Sequence, residues 1–127
     1  MSKIDKLLDR ASDKLTAAEV LANQEYFDDA ISRTFSGLLF CARALLLTKD
    51  ISSEDPAEII DKFTGEFVKK KIVDEEMGKL LKDTKLLAEK ADFSPSFGVS
   101  EEKIKGLMEQ AEMFMEQVED IISELEE

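Results

Sequence analysis

Apolar residues recur along this chain every three or four positions, in five stretches divided by polar breaks. That is the period of the α-helix; the two-residue alternation of a half-buried strand is absent. The first stretch runs from about Lys3 to Asn23, with Ile4, Leu7, Leu8, Ala11, Leu15, Ala18 and Ala22 on one stripe and Ser2 placed as N-cap. The second covers about Tyr26 to Thr48. Its main part, Ala30 to Leu47, is apolar on nearly every side, as a helix is when other helices surround it. Asp55, Pro56 and Glu58 then form a start signal, with a capping acid, a proline suited to the first turn and an acid at the capping-box position. The short helix they open carries Ile59, Ile60, Phe63 and Phe67 inward.

Asp74 is placed to cap a fourth helix whose stripe is Met77, Leu80, Leu81, Thr84, Leu87, Ala88 and Ala91. Asp92 to Val99, with Ser94, Pro95, Ser96 and Gly98, reads as the longest irregular segment. Ser100, Glu101 and Glu102 begin the last helix, the acids favouring the positive end of its dipole. There Ile104, Leu107, Ala111, Phe114, Val118, Ile121 and Leu125 alternate by three and four, and Met108, Met115 and Ile122 widen the seam. A face that broad belongs inside a bundle. The expected fold is all-α: one domain over residues 1–127, an antiparallel up-and-down four-helix bundle with an additional short helix packed across one end. Helix two is so apolar that one bundle is not expected to cover it all. Gly37, between Arg33 and Phe40, leaves room for another backbone to approach, and the combination suggests a homodimer.

Charge narrows the partners. The 127 residues carry a formal charge of −12, which disfavours nucleic acid or nucleotide ligands whose phosphates must be neutralised by bases. Residues 101–127 hold ten acids against Lys103 and Lys105, whereas Lys62 to Lys90 holds eight lysines against six acids. Solvated helix surface is the favoured reading of those lysines over a cationic face. The lone cysteine, Cys41, lies in the apolar run and reads as a small core residue in a reducing compartment. No secretory leader is expected from the charged, amphipathic start. The uncharged run Thr34 to Ala42 is far shorter than the roughly 20 residues of a membrane span. The expectation is a cytoplasmic protein with no membrane partner.

The chain has no histidine. That removes Ser-His-Asp and Cys-His catalysis, imidazole metal sites and the Glu-x-x-His pairs of di-metal bundles. With scattered glycines and one cysteine there is no phosphate-cradling loop and no thiolate site, so neither cofactor, metal nor catalytic residue is expected. What remains is arginine chemistry. Ser32, Arg33, Ser36 and Arg43 fall on one side of helix two and could grip a phosphate or carboxylate through bidentate hydrogen bonds. The competing reading is packing: a buried guanidinium needs compensation, and Asp28, Glu89 or Asp92 could supply it.

The strings Ala30-Ile31-Ser32-Arg33 and Ala42-Arg43-Ala44-Leu45-Leu46, with Phe67-Val68-Lys69, Ala91-Asp92-Phe93 and the Ser-Glu-Glu start of the last helix, carry a resemblance. From about Tyr26 to Met115 the chain resembles the HEPN superfamily, most closely its UPF0332 branch of small archaeal and bacterial proteins. The resemblance implies an all-α bundle, usually dimeric. Many members are ribonucleases built on an arginine followed by histidine, and others pair with a small nucleotidyltransferase as toxin and antitoxin. Here that ribonuclease motif is missing. Phe35 and Ser36 replace a tyrosine pair, Phe40 a polar residue and Ala88 an arginine, while Arg33, Arg43 and Asp92 are kept. The expectation is a noncatalytic, dimeric protein-interaction module with a nucleotidyltransferase-type partner. The alternative is a nucleotide- or RNA-binding protein, or a degenerate RNase, using the helix-two arginines.

Overall fold

The computed structural model describes residues 2–126, which form α1 (Lys3–Asn23), α2 (Phe27–Leu47), α3 (Pro56–Phe63), α4 (Glu75–Phe93) and α5 (Glu101–Glu126), with no strand among them. The start signals act as read. Ser2 Oγ accepts from the Asp5 N–H at 3.1 Å, Asp55 Oδ2 from Glu58 at 3.0 Å, and Ser100 Oγ from Lys103 at 3.1 Å. Asp74 occupies the N-cap position of α4 but makes no side-chain capping bond; Glu75 and Glu76 supply the favourable charge there. Asp92 corrects the expected boundary. It lies in the last turn of α4, and the irregular connection begins only at Ser94, the residue that Pro95 bars from helical geometry.

α1 runs antiparallel to α2, α4 antiparallel to α2, and α5 antiparallel to α1, which gives the up-and-down bundle. α2 is the central element and touches α1, α3, α4 and α5. Thr34 and nine small or apolar residues, among them Ile31, Gly37, Leu38, Cys41, Leu45 and Leu46, bury it. By length and composition α2 could cross a membrane, yet more than half of its apolar window is enclosed by the other helices. The close approach at Gly37 is also internal. A Cβ there would stand 2.6 Å from Leu15 Cδ2 and 3.4 Å from the Ala11 carbonyl, so α1 fills the space assigned above to a second copy.

The seam of α5 differs from the heptad reading at its C-terminal end. Ile104, Leu107, Ala111, Phe114, Val118 and Ile122 are buried, Ile121 is only partly so, and Leu125 is exposed. A straight helix of 3.6 residues per turn drifts off a strict seven-residue repeat, and over three heptads the drift hands the inner position to Ile122. α3 continues into a π-helical turn, Thr64–Val68, closed by the Lys69 N–H on the Thr64 carbonyl at 2.9 Å. The Glu66 carbonyl accepts from Lys49 Nζ at 3.1 Å, tying the end of α2 to this turn. Phe63 and Phe67 are both fully buried, their ring centroids 5.9 Å apart, and Phe63 stacks on Phe114 of α5 at 5.7 Å.

Candidate functional site

One stripe of α2 lies along the rim of the core: Asp29, Arg33, Ser36, Phe40, Arg43 and Leu47, spaced by three and four residues and none of them buried, with Phe40 packed against the core's edge. At its N-terminal end α4 joins α2 through the Ser32 hydroxyl, which donates to Asp92 Oδ1 at 2.5 Å. This short charge-assisted bond draws the last turn of α4 onto α2. Arg33, next to it, is exposed, and among the described residues it makes no ion pair. The expectation of a buried guanidinium there is corrected: one residue of helical rotation takes Arg33 from the α4 side to the solvent side.

Arg43 lies eleven residues beyond Ser32, roughly 16 Å along the helix. Its side chain is 24% exposed and stacks on Phe40, its guanidinium carbon 5.1 Å from the ring centroid. Among the described residues its one ion-pair partner is Glu54, at 3.9 Å and 90% exposed, which adds little stability. None of the expected partners serves. Asp92 is taken by Ser32, Glu89 by Lys85 at 3.3 Å, and Asp28 is in no ion pair among the described residues. Of the predicted site residues, Ser32 and Asp92 therefore meet directly. Ser36 lies partly buried between them and Arg43, and the two arginines mark separate ends of one stripe.

The sequence reading missed Arg10. From α1 its guanidinium also stacks on Phe40, at 5.3 Å, so two cations share one ring. The signal was legible: Lys3, Lys6, Arg10 and Lys14 recur by three and four on one flank of α1. The opposite flank, with Ser12, Thr16 and Glu19, borders Glu112, Glu116 and Glu119 of α5 across an acidic groove. Charge is thus segregated, positive along α1/α2 and negative along α1/α5. Of the eight lysines between Lys62 and Lys90, Lys62, Lys70, Lys79 and Lys85 each pair with an acid one turn away.

The exposed guanidinium of Arg33 and the half-buried one of Arg43 suit carboxylate or phosphate oxygens. The Ser32–Asp92 bond ties α2 to the last turn of α4. Among the described residues no group of three Cys, Asp or Glu side chains could hold a metal ion. Ala88, where the resemblance leads one to expect arginine, is buried with Ala30, Ile31, Ile104 and Leu107.

Comparison with known proteins agrees with this architecture. The HEPN domain model matches residues 4–121. A Thermotoga maritima protein named UPF0332 protein is 28% identical over 129 residues, covering 98% of each chain. Two Methanocaldococcus jannaschii proteins, named "Putative toxin MJ0142" and "Putative toxin MJ0605", are also 28% identical. The matches cover 89% of this chain and 77% of the first, and 97% and 91% for the second. With an all-α helix order and a family match that spans nearly its whole length, this chain belongs to the HEPN domain family.

Proposed function

We propose that this chain is a noncatalytic HEPN module that acts by docking: a homodimer that presents the solvent stripe of α2 to a nucleotidyltransferase-type protein, in a toxin–antitoxin-like pair. The observation that carries the reading is how the site positions are used. Ala88 is core, Phe40 is a platform for two guanidinium groups, and the Ser32 hydroxyl is committed to Asp92. Groups that would move protons are replaced by groups that pack or present charge. The relatives named as toxins support the pairing. Co-expression with the protein encoded beside it should give a complex that survives gel filtration, and light scattering of the chain alone should report twice its 14.3 kDa. Failure to co-purify would overturn the docking reading, and a monomer at micromolar concentration the dimer.

A second reading is favoured by the exposed, unpaired Arg33: a nucleotide or RNA ligand held by Arg33 and Arg43, or a degenerate RNase built on them. Titration with nucleotides and short RNAs at low salt tests binding. RNA cleavage by purified wild type, lost in Arg33→Ala and Arg43→Ala, is the result that would restore an enzymatic role.

A further inference from the structure

We infer that the α1/α2 face is shaped for an acidic segment of a protein partner, its carboxylates gripped by Arg10 and Arg43 beside Phe40 and flanked by Lys6, Lys14 and Arg33. This deepens the docking reading and rests on it. A chain with 29 acids and 17 bases can readily neutralise its cations. Among the described residues it does so at Lys49, Lys62, Lys70, Lys79, Lys85 and Lys105, while Lys69, Lys71, Lys82, Lys90 and Lys103 stay unpaired; what sets the α1/α2 face apart is two guanidinium groups on one ring beside further unpaired bases. On this face, among the described residues, Lys3, Lys6, Arg10, Lys14 and Arg33 have no acid partner, and Arg43 has only the distant Glu54. The contact of Arg10 with Phe40 shows that the basic flank of α1 adjoins the α2 stripe. The combined surface extends about three helical turns, roughly 16 Å from Lys3 to Lys14.

Planar guanidinium groups suit carboxylates and phosphates alike, and two observations favour the carboxylate chain. Proteins that hold single-stranded nucleic acid offer open aromatic rings for bases to stack on. The ring on this face, Phe40, already carries both guanidinium groups. The exposed Tyr26 sits at the acidic end, beside Glu25, Asp28 and Asp29. A long polyanion would also run into the repulsion of a −12 body, whereas a short acidic segment can remain within the patch.

The test is fluorescence anisotropy on the full chain with a short polyglutamate peptide and an oligouridylate of equal charge, at low and at physiological salt. The peptide should bind more tightly than the RNA. Arg10→Gln and Arg43→Gln should each weaken it about tenfold. Lys103→Gln, which removes the same charge from α5, should leave it unchanged. Arg10 is exposed, so R10Q keeps the test valid even if R43Q fails to fold. The inference falls if the peptide does not bind, if the RNA binds as tightly with the same arginine dependence, or if K103Q matches R10Q. A partner complex that resists R10Q and R43Q would overturn the inference and leave the docking reading standing. Absence of any partner complex would overturn that reading and leave the peptide result intact.

Discussion

Gly37 and Gly106 are both helical glycines in opposite surroundings. A Cβ on Gly106 meets nothing within 4 Å, so Gly106→Ala should raise stability by about 1 kcal/mol through helix propensity alone. Gly37→Ala gains the same propensity but drives its methyl into Leu15, 2.6 Å from Cδ2 and 2.8 Å from Cγ. Overpacking of this kind costs about 1–3 kcal/mol, so the net change should be destabilising. Urea denaturation of the two variants checks both signs, and a stabilised Gly37→Ala would mean Leu15 moves freely. Cys41 illustrates burial acting on chemistry. Burial pushes its thiol from 9.0 to about 12, and Glu119 adds to the shift. The raised value belongs to the folded chain, so this group's stabilising contribution is complete below about pH 9 and is lost as pH climbs towards 12. At pH 8 a disulfide reagent should label native Cys41 only as fast as the chain opens. Immediate labelling without denaturant would contradict the packing described.

At the level of elements, helix starts were legible and helix ends were not. Ser2, Asp55 and Ser100 are residues whose oxygens are made for capping, and they do it. The ends close instead on left-handed residues without glycine: Glu25, Asp50 and Lys71, with φ of 66°, 59° and 59°. In each case the N–H that follows returns to a carbonyl of the last turn, as Tyr26 does to Leu21 at 2.8 Å. Side chains other than glycine resist that conformation, and nothing in a Glu, Asp or Lys announces it. Glu25→Gly should therefore stabilise the protein by about 1 kcal/mol. An unchanged denaturation midpoint would show that the turn is unstrained. The fate of Asp92 has the same origin. Pro95 announced a break nearby, but only the bond from Ser32 explains why α4 keeps its last turn against α2.

For the whole molecule, charge matters through its distribution. A body at −12 repels itself, while the ion pairs that salt would weaken are exposed and individually minor. Raising ionic strength from low to physiological should therefore lift the thermal midpoint by a few degrees. A fall would mean that the local pairs outweigh the global repulsion. The same distribution separates two readings that the sequence joined. Arg33 and Arg43 share the solvent stripe of α2, yet only Arg43 shares a ring with a second cation, and that cation comes from α1. The sequence reading expected surplus apolar surface on α2 to find a second chain. At Gly37 it is α1 that fills the space, and the stripe left open carries Asp29, Arg33 and Arg43 beside the partly buried Phe40 and Leu47.

Periodicity alone determined the five helices, the all-α bundle and the inner faces save the C-terminal end of α5, because burial of an apolar stripe is a local pattern that repeats every turn. The absence of histidine likewise limited the chemistry before any coordinates. Tertiary structure decided the rest: which neighbour fills the space at Gly37, that among the described residues Arg43 alone of the arginines reaches an acid, and that Arg10 and Arg43 meet on Phe40. These depend on the rotation and approach of one helix against another, and a change of a few ångströms between helices leaves no mark on the spacing of residues along either one.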